Sequence, residues 1–158
     1  MTSSLVTAYI ALGANLGAAQ AAVLQAMQHI AALRMTTLVR RSSLYRSAPV
    51  DSSGPDYINA VVEVATGLAA PELLRELHQL ERTAGRERSW RNAPRTLDLD
   101  LLLYGDTRVD SPNLVIPHPR MLARAFVLVP LAEIAPSRVS AAQLQAVSIQ
   151  AITRLADA

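Results

Sequence analysis

Asp98 and Asp100 stand two residues apart in the apolar run Leu97-Asp98-Leu99-Asp100-Leu101-Leu102-Leu103 and are its only charged groups. Side chains alternate across a strand, so both acids point to one side and Leu97, Leu99, Leu101 and Leu103 to the other. The two backbone positions lie about 6.6–7 Å apart, and paired metal ions sit about 3.5–4 Å apart, so both carboxylates can reach one pair of ions. Carboxylate oxygens suit Mg²⁺, which is usually held by one or two carboxylates plus substrate phosphates. Arg95, two residues before the strand, can meet the same phosphates. A lone pair of acids on a strand is often only solvated. Four leucines on the opposite face and an arginine-rich loop just upstream favour a phosphoryl-transfer site.

These acids need a scaffold, and the composition supplies one. The chain has 158 residues, 51% of them hydrophobic and 18% charged, which argues for one compact domain and against disorder. It has no cysteine, so disulfides and thiolate metal sites are excluded. All fifteen basic residues are arginine. A phosphate loop that needs lysine and a Schiff-base lysine are therefore impossible, and any phosphate clamp must use guanidinium groups. The net charge of +2 suits a polyphosphate ligand as well as nucleic acid. No apolar run is long enough to span a membrane, and the first residues lack a secretory leader pattern, so a cytoplasmic protein is expected.

Periodicity predicts a strand over 5–12, a turn over 13–17, a helix over 18–33 and strand character over 36–46. A long loop follows at 47–56, then a strand at 57–66, a helix at 71–83 and a loop at 85–94 before the acid-bearing strand. The order β-α-β-β-α-β predicts an α+β, ferredoxin-like antiparallel sheet with both helices on one face. A C-terminal extension from Gly105 adds short strands, a proline-rich turn and a final helix near 141–155. Ile58, Ala60, Val62 and Val64 should face the helices. Tyr57 and Asn59 should share the open face with the aspartates, where an aromatic ring and an amide can stack on a flat heterocycle and hydrogen-bond its edge.

The blocks Gly13-Ala14-Asn15-Leu16-Gly17, Tyr45-Arg46-Ser47-Ala48-Pro49, Asp56-Tyr57-Ile58-Asn59-Ala60, Gly85-Arg86-Glu87-Arg88, Pro94-Arg95-Thr96-Leu97-Asp98-Leu99-Asp100 and Ile116-Pro117-His118-Pro119 occur in this order. With them the chain resembles the 6-hydroxymethyl-7,8-dihydropterin pyrophosphokinases of the folate pathway, from about residue 8 to about 136. The resemblance implies that Asp98 and Asp100 hold two Mg²⁺ ions on the phosphates of ATP. The pterin hydroxymethyl oxygen then attacks the β-phosphorus and AMP leaves. Arg86 and Arg95 are implied as catalytic groups. His78, Glu81, Arg88, Leu101, Leu114, Val115, His118 and Arg124 are implied around ATP. Ser47, Ala48, Val50, Tyr57, Asn59 and Phe126 are implied around the pterin, between the rings of Tyr57 and Phe126. Loops 13–17, 47–56 and 85–94 are implied to close over the site. The chain departs from the pattern at Asn92-Ala93, where many relatives carry Trp-Gly; its tryptophan is Trp90. The expected partners are these two small molecules, with no nucleic acid, no membrane and a monomeric chain.

Two rivals stand beside this reading. A nucleic-acid-binding ferredoxin-like module would want aromatic platforms, but aromatics make up only 4% of the chain. A metal-dependent nucleotidyltransferase using the same acid pair would usually add a third strand carboxylate and a Gly-Ser phosphate turn, and neither stands out.

Overall fold

The computed structural model describes residues 4–15, 17–48, 55–86 and 97–155. The first part of the chain forms β1 (Val6–Ala14), α1 (Ala19–Ala31), β2 (Thr36–Arg41), β3 (Tyr45–Ser47), β4 (Tyr57–Thr66), α2 (Ala70–Arg86) and β5 (Asp98–Tyr104). The remainder forms β6 (Val109–Ser111), β7 (Leu114–Ile116), α3 (Ala125–Ile134), α4 (Ala141–Ala146) and β8 (Ile152–Arg154). The main sheet runs β5-β1-β4-β3-β8, with β2 also paired to β4. Every pairing in it is antiparallel. This is the expected ferredoxin-like arrangement with one more strand at its edge.

Alternation builds the first core. Ala8, Ile10 and Leu12 of β1 and Ile58, Ala60, Val62 and Val64 of β4 turn the same way. They pack against Val23, Met27 and Ile30 of α1 and Leu73 and Leu77 of α2. Leu97, Leu99 and Leu101 join this side, as the strand period requires. The strand expected over 36–46 is interrupted at Ser42. Its N–H donates to the Val61 carbonyl at 2.9 Å, and its hydroxyl oxygen accepts the Val61 N–H at 2.9 Å. That side chain replaces a backbone partner, so β2 ends and β3 begins without leaving β4 unpaired.

Three expectations are corrected. Leu103 does not follow Leu97, Leu99 and Leu101. Tyr9 opposes Leu103 and Ile10 opposes Leu101, so Leu102 is an extra residue in β5. This bulge puts Leu102 and Leu103 together on the aspartate side of the sheet. Nor is that side wholly open. Tyr9, Ala11, Val61, Leu102 and Leu103 form a second core with Val127, Leu128, Leu131 and Ile134 of α3. The sequence hides α3 because it is apolar all round and carries Pro130. Finally, the helix expected near 141–155 stops at Ala146, and the chain returns as β8. Ser140 and Gln143 form a capping box at the start of this short helix.

Candidate active site

The part of the second face that α3 leaves uncovered is organised around Gly13. Gly13 lies opposite Asp98 on one side and opposite Asn59 on the other. Opposed residues of antiparallel strands point to the same face, so the carboxylate and the amide flank a residue with no side chain. A Cβ on Gly13 would stand 3.1 Å from Asn59 Nδ2 and 4.0 Å from the Tyr57 ring. Gly13 is therefore the floor of a shallow trough with Asp98 on one wall and Asn59 and Tyr57 on the other.

The amide wall is fixed. Asn59 and Ser47 are both buried, and the Ser47 hydroxyl donates to Asn59 Oδ1 at 2.6 Å. With Oδ1 engaged, Nδ2 is directed towards the trough beside Gly13. Tyr57 opposes Ser47 in the β3–β4 pairing and is half-buried. Ala48, next to Ser47, is exposed.

The acid wall sits on the edge strand. Asp98 and Asp100 are both partly exposed, while Leu99 between them is buried. The outer edge of β5 is held at two points. The Leu99 N–H donates to Glu81 Oε2 of α2 at 2.7 Å, and the Leu102 carbonyl accepts the His118 N–H at 3.0 Å. The His118 ring accepts the Arg120 N–H at Nδ1 (3.2 Å), so the proton of the neutral ring is on Nε2. That nitrogen stands 3.9 Å from Asp100 Oδ1. Burial pushes the His118 imidazole below its ordinary value; Asp100 opposes this, and Arg124 and Arg120 add to it. His118 is thus neutral at pH 7 and presents an N–H to Asp100.

Arg124 and Phe126 complete the cluster where α3 begins. The Arg124 guanidinium lies over the Phe126 ring, 5.3 Å from its centroid. The arrangement therefore has a hard-oxygen end at Asp98 and Asp100 and an aromatic and amide end at Tyr57 and Asn59. Among the described residues no group of three or more His, Asp or Glu side chains forms a cage for a metal ion. Two carboxylates on one open face still fit Mg²⁺ of the kind that takes its remaining ligands from substrate phosphates and water.

Residues 9–136 match the family described as 7,8-dihydro-6-hydroxymethylpterin-pyrophosphokinase (HPPK). The chain belongs to the HPPK family. It is 46% identical over 132 residues to the 2-amino-4-hydroxy-6-hydroxymethyldihydropteridine pyrophosphokinase of Haemophilus influenzae, covering 83% of this chain and 82% of that protein. The Pseudomonas aeruginosa protein of the same name is 44% identical over 129 residues, covering 81% and 80%. In a crystal structure of Plasmodium falciparum HPPK-DHPS the fold recurs with a TM-score of 0.69 at 15% identity; 85% of this chain spans 43% of that one. Membership of the HPPK family makes this chain an enzyme of the pyrophosphokinase class.

The HPPK fold does not bring every expected residue to the trough. Asp98, Asp100, Asn59 and Tyr57 line it, with Ser47 behind, and His118 meets Asp100. Leu101 and Leu114 are buried in the first core, away from the aspartate face, while Val115 is 37% exposed. His78 is exposed on α2 and Glu81 is turned to the β5 edge. Arg86 ends α2, and its side chain falls outside what is described; Val50, Arg88, Trp90, Asn92 and Arg95 lie outside the described residues. Sequence reasoning passed over Gly13, which looked like the start of a turn. Only the register shows that it separates Asp98 from Asn59.

Proposed function

We propose that this chain transfers pyrophosphate from ATP to the hydroxymethyl oxygen of 6-hydroxymethyl-7,8-dihydropterin, with release of AMP, as a step of folate biosynthesis. The observation that carries this reading is the trough itself. An Asp98–Asp100 pair that suits metal-bound phosphates lies one strand away from a buried, preoriented amide beside an aromatic ring. A phosphate donor and a flat heterocyclic acceptor are thereby aligned end to end across Gly13.

Asp98 and Asp100 would hold two Mg²⁺ ions, which supply charge neutralisation on the triphosphate when bound. The chain's own residues do the rest by position. Asn59 Nδ2 donates to the acceptor's ring edge, the Ser47 hydroxyl fixes that amide, and Tyr57 and Phe126 give it apolar faces. Ala48 and Val50 would border the same ring. His118 and Arg124 are assigned to the nucleotide beside Asp100, with His118 Nε2 standing 3.9 Å from Asp100 Oδ1, too far for a hydrogen bond. Arg86, Arg88 and Arg95 are assigned to the phosphates, where a guanidinium can grip two oxygens at once. Val115 is assigned to the adenine end and His78 and Glu81 to its outer side; Leu101 and Leu114, whose side chains are buried in the first core, are assigned there through their backbone alone. The hydroxymethyl oxygen attacks the β-phosphorus and gives up its proton to solvent, the bond from that phosphorus to the α-phosphate oxygen breaks, and AMP takes that electron pair. A monomeric cytoplasmic enzyme completes the reading. No helix among the described residues is long and apolar enough to cross a membrane.

The test is product analysis with ATP, Mg²⁺ and the pterin. AMP is expected to form one for one with pterin pyrophosphate. Asp98→Asn and Asp100→Asn should each lower the rate at least about 100-fold, since a bound metal contributes several kcal/mol to such a transition state. Pterin-independent release of pyrophosphate would replace this reading with a nucleotidyltransferase.

A further inference from the structure

The family match ends at residue 136, yet the chain after it does not simply trail over the core. It returns twice to elements that the pterin reading assigns to the acceptor, the start of α3 and β3. First, Gln150 grips the start of α3: its Oε1 accepts the Ala125 N–H at 2.8 Å and its Nε2 donates to the Ala123 carbonyl at 2.8 Å. Phe126 is the next residue along, and Arg124 sits between the two gripped groups. Second, β8 pairs with β3 through Tyr45–Arg154, Arg46–Thr153 and Ser47–Ile152, and the Leu155 N–H donates to the Leu44 carbonyl at 2.9 Å. β3 is three residues long and carries Ser47, the donor that fixes Asn59.

Glu133 of α3 ties these attachments together. Its Oε1 accepts the Tyr45 hydroxyl at 2.7 Å and the Ser43 N–H at 2.9 Å. Its Oε2 accepts the Ser43 hydroxyl at 2.8 Å and pairs with Arg154 of β8 at 3.5 Å. Tyr45 opposes Asn59 in the sheet. One carboxylate thus joins α3, the approach to β3, β3 itself and β8. Burial raises the Tyr45 hydroxyl pKa, and the bond to Glu133 raises it further, so Tyr45 stays a donor at any physiological pH.

We propose that the C-terminal segment, through Gln150, β8 and the Glu133–Arg154 contact, is a brace that positions the two sides of the acceptor subsite, Phe126 on one and Ser47–Asn59 on the other. The inference rests on the pterin reading of that subsite. The brace touches α3 and β3, while the aspartates lie on β5 at the opposite edge, with β1 and β4 between. Disturbing it at β3 should therefore weaken the heterocyclic acceptor selectively, while Gln150, which also holds the Arg124 turn beside His118, bears on both ends.

The test uses the full chain and calorimetry. ATP-analogue affinity is measured with Mg²⁺ and α,β-methylene-ATP, and pterin affinity with that analogue present. Gln150 is exposed, so Gln150→Ala is expected to fold; Glu133→Ala removes the central carboxylate. Thr153→Pro is the third variant. The Leu155 N–H faces β3, so by strand period the Thr153 N–H does too, and proline deletes it. Each should weaken pterin binding about tenfold, the effect of roughly 1.4 kcal/mol; analogue affinity should stay within about twofold in Glu133→Ala and Thr153→Pro, whereas Gln150→Ala, which frees the Arg124 turn, should lower it as well. Glu133→Gln, which keeps an acceptor for Tyr45, should fall between Glu133→Ala and the unaltered protein. Ser47 amide exchange should quicken in Glu133→Ala and Thr153→Pro. Unchanged pterin affinity in folded Gln150→Ala and Thr153→Pro, or an equal loss for both ligands in Thr153→Pro, overturns the brace. If the unaltered chain binds no pterin, the proposed function fails instead, and Ser47 exchange alone decides whether the brace exists.

Discussion

At the scale of single residues, Gly13 sets the space between the two walls of the trough, because it lies opposite Asp98 on one neighbouring strand and opposite Asn59 on the other. Gly13→Ala places a Cβ 3.1 Å from Asn59 Nδ2, and Asn59 cannot retreat while Ser47 holds its oxygen. Overpacking of this kind costs about 1–3 kcal/mol. Pterin affinity in Gly13→Ala should therefore fall about tenfold in calorimetry, with ATP-analogue affinity retained; a variant that binds pterin normally would mean the trough floor lies elsewhere. Ser47→Ala makes a complementary case. It strips the donor from a buried carbonyl oxygen, which costs about 1–3 kcal/mol. At about 2–4 °C per kcal/mol for a domain of this size, thermal melting should show Tm down by about 2–12 °C, and pterin binding should weaken as well. Asp98, Asp100, Tyr57 and Asn59 are legible in the sequence because each pair lies two apart in an apolar strand, and alternation puts each pair on one face. Gly13 is not, because its importance lies in which residues oppose it on two other strands.

At the scale of elements, the sequence showed the βαββαβ unit and missed what covers its second face. The helices α1 and α2 announce themselves through an apolar stripe opposite a polar one. α3 carries no such contrast, because it is buried between the sheet and the C-terminal segment, and Pro130 reads as a break. The proline is accommodated because only one helical bond, back to Phe126, is lost within a helix already fixed by packing. The bulge at Leu102 was equally invisible, since one extra leucine among leucines changes no pattern. That α3 is a working part of the core can be tested directly. Leu131 is fully buried against the sheet, so Leu131→Ala should destabilise the chain by about 2–5 kcal/mol. A Tm decrease of about 4–20 °C is expected; a change within about 1 °C would show that α3 does not close this face.

At the scale of the whole molecule, composition and acid response are linked. The chain's basic groups are fifteen arginines and three histidines, against thirteen carboxylates. Arginine does not lose its proton in any relevant range, so acidification removes negative charge beneath a fixed positive one, and folded-state carboxylates that hold several donors matter most. Glu133 is the clearest of these. Burial pushes its carboxyl up from the ordinary 4.5, but the Tyr45 hydroxyl, the Ser43 N–H and hydroxyl and Arg154 together bring it below that value. A carboxyl depressed in the folded state binds fewer protons there than in the unfolded chain. Its contribution is therefore complete above about pH 4.5 and disappears as the pH falls through the lower, folded value. Glu133→Gln has no such proton to take up. Melting curves between pH 6 and pH 3, roughly the span of carboxylate titration, should show the Tm difference between the two proteins largest near neutrality and shrinking below about pH 4.5. A difference independent of pH would assign the Glu133 contacts to shape rather than charge. Because the same carboxylate joins α3 to β3 and β8, its protonation should loosen the brace before the sheet melts, and Ser47 amide exchange should rise on the acid side ahead of global unfolding.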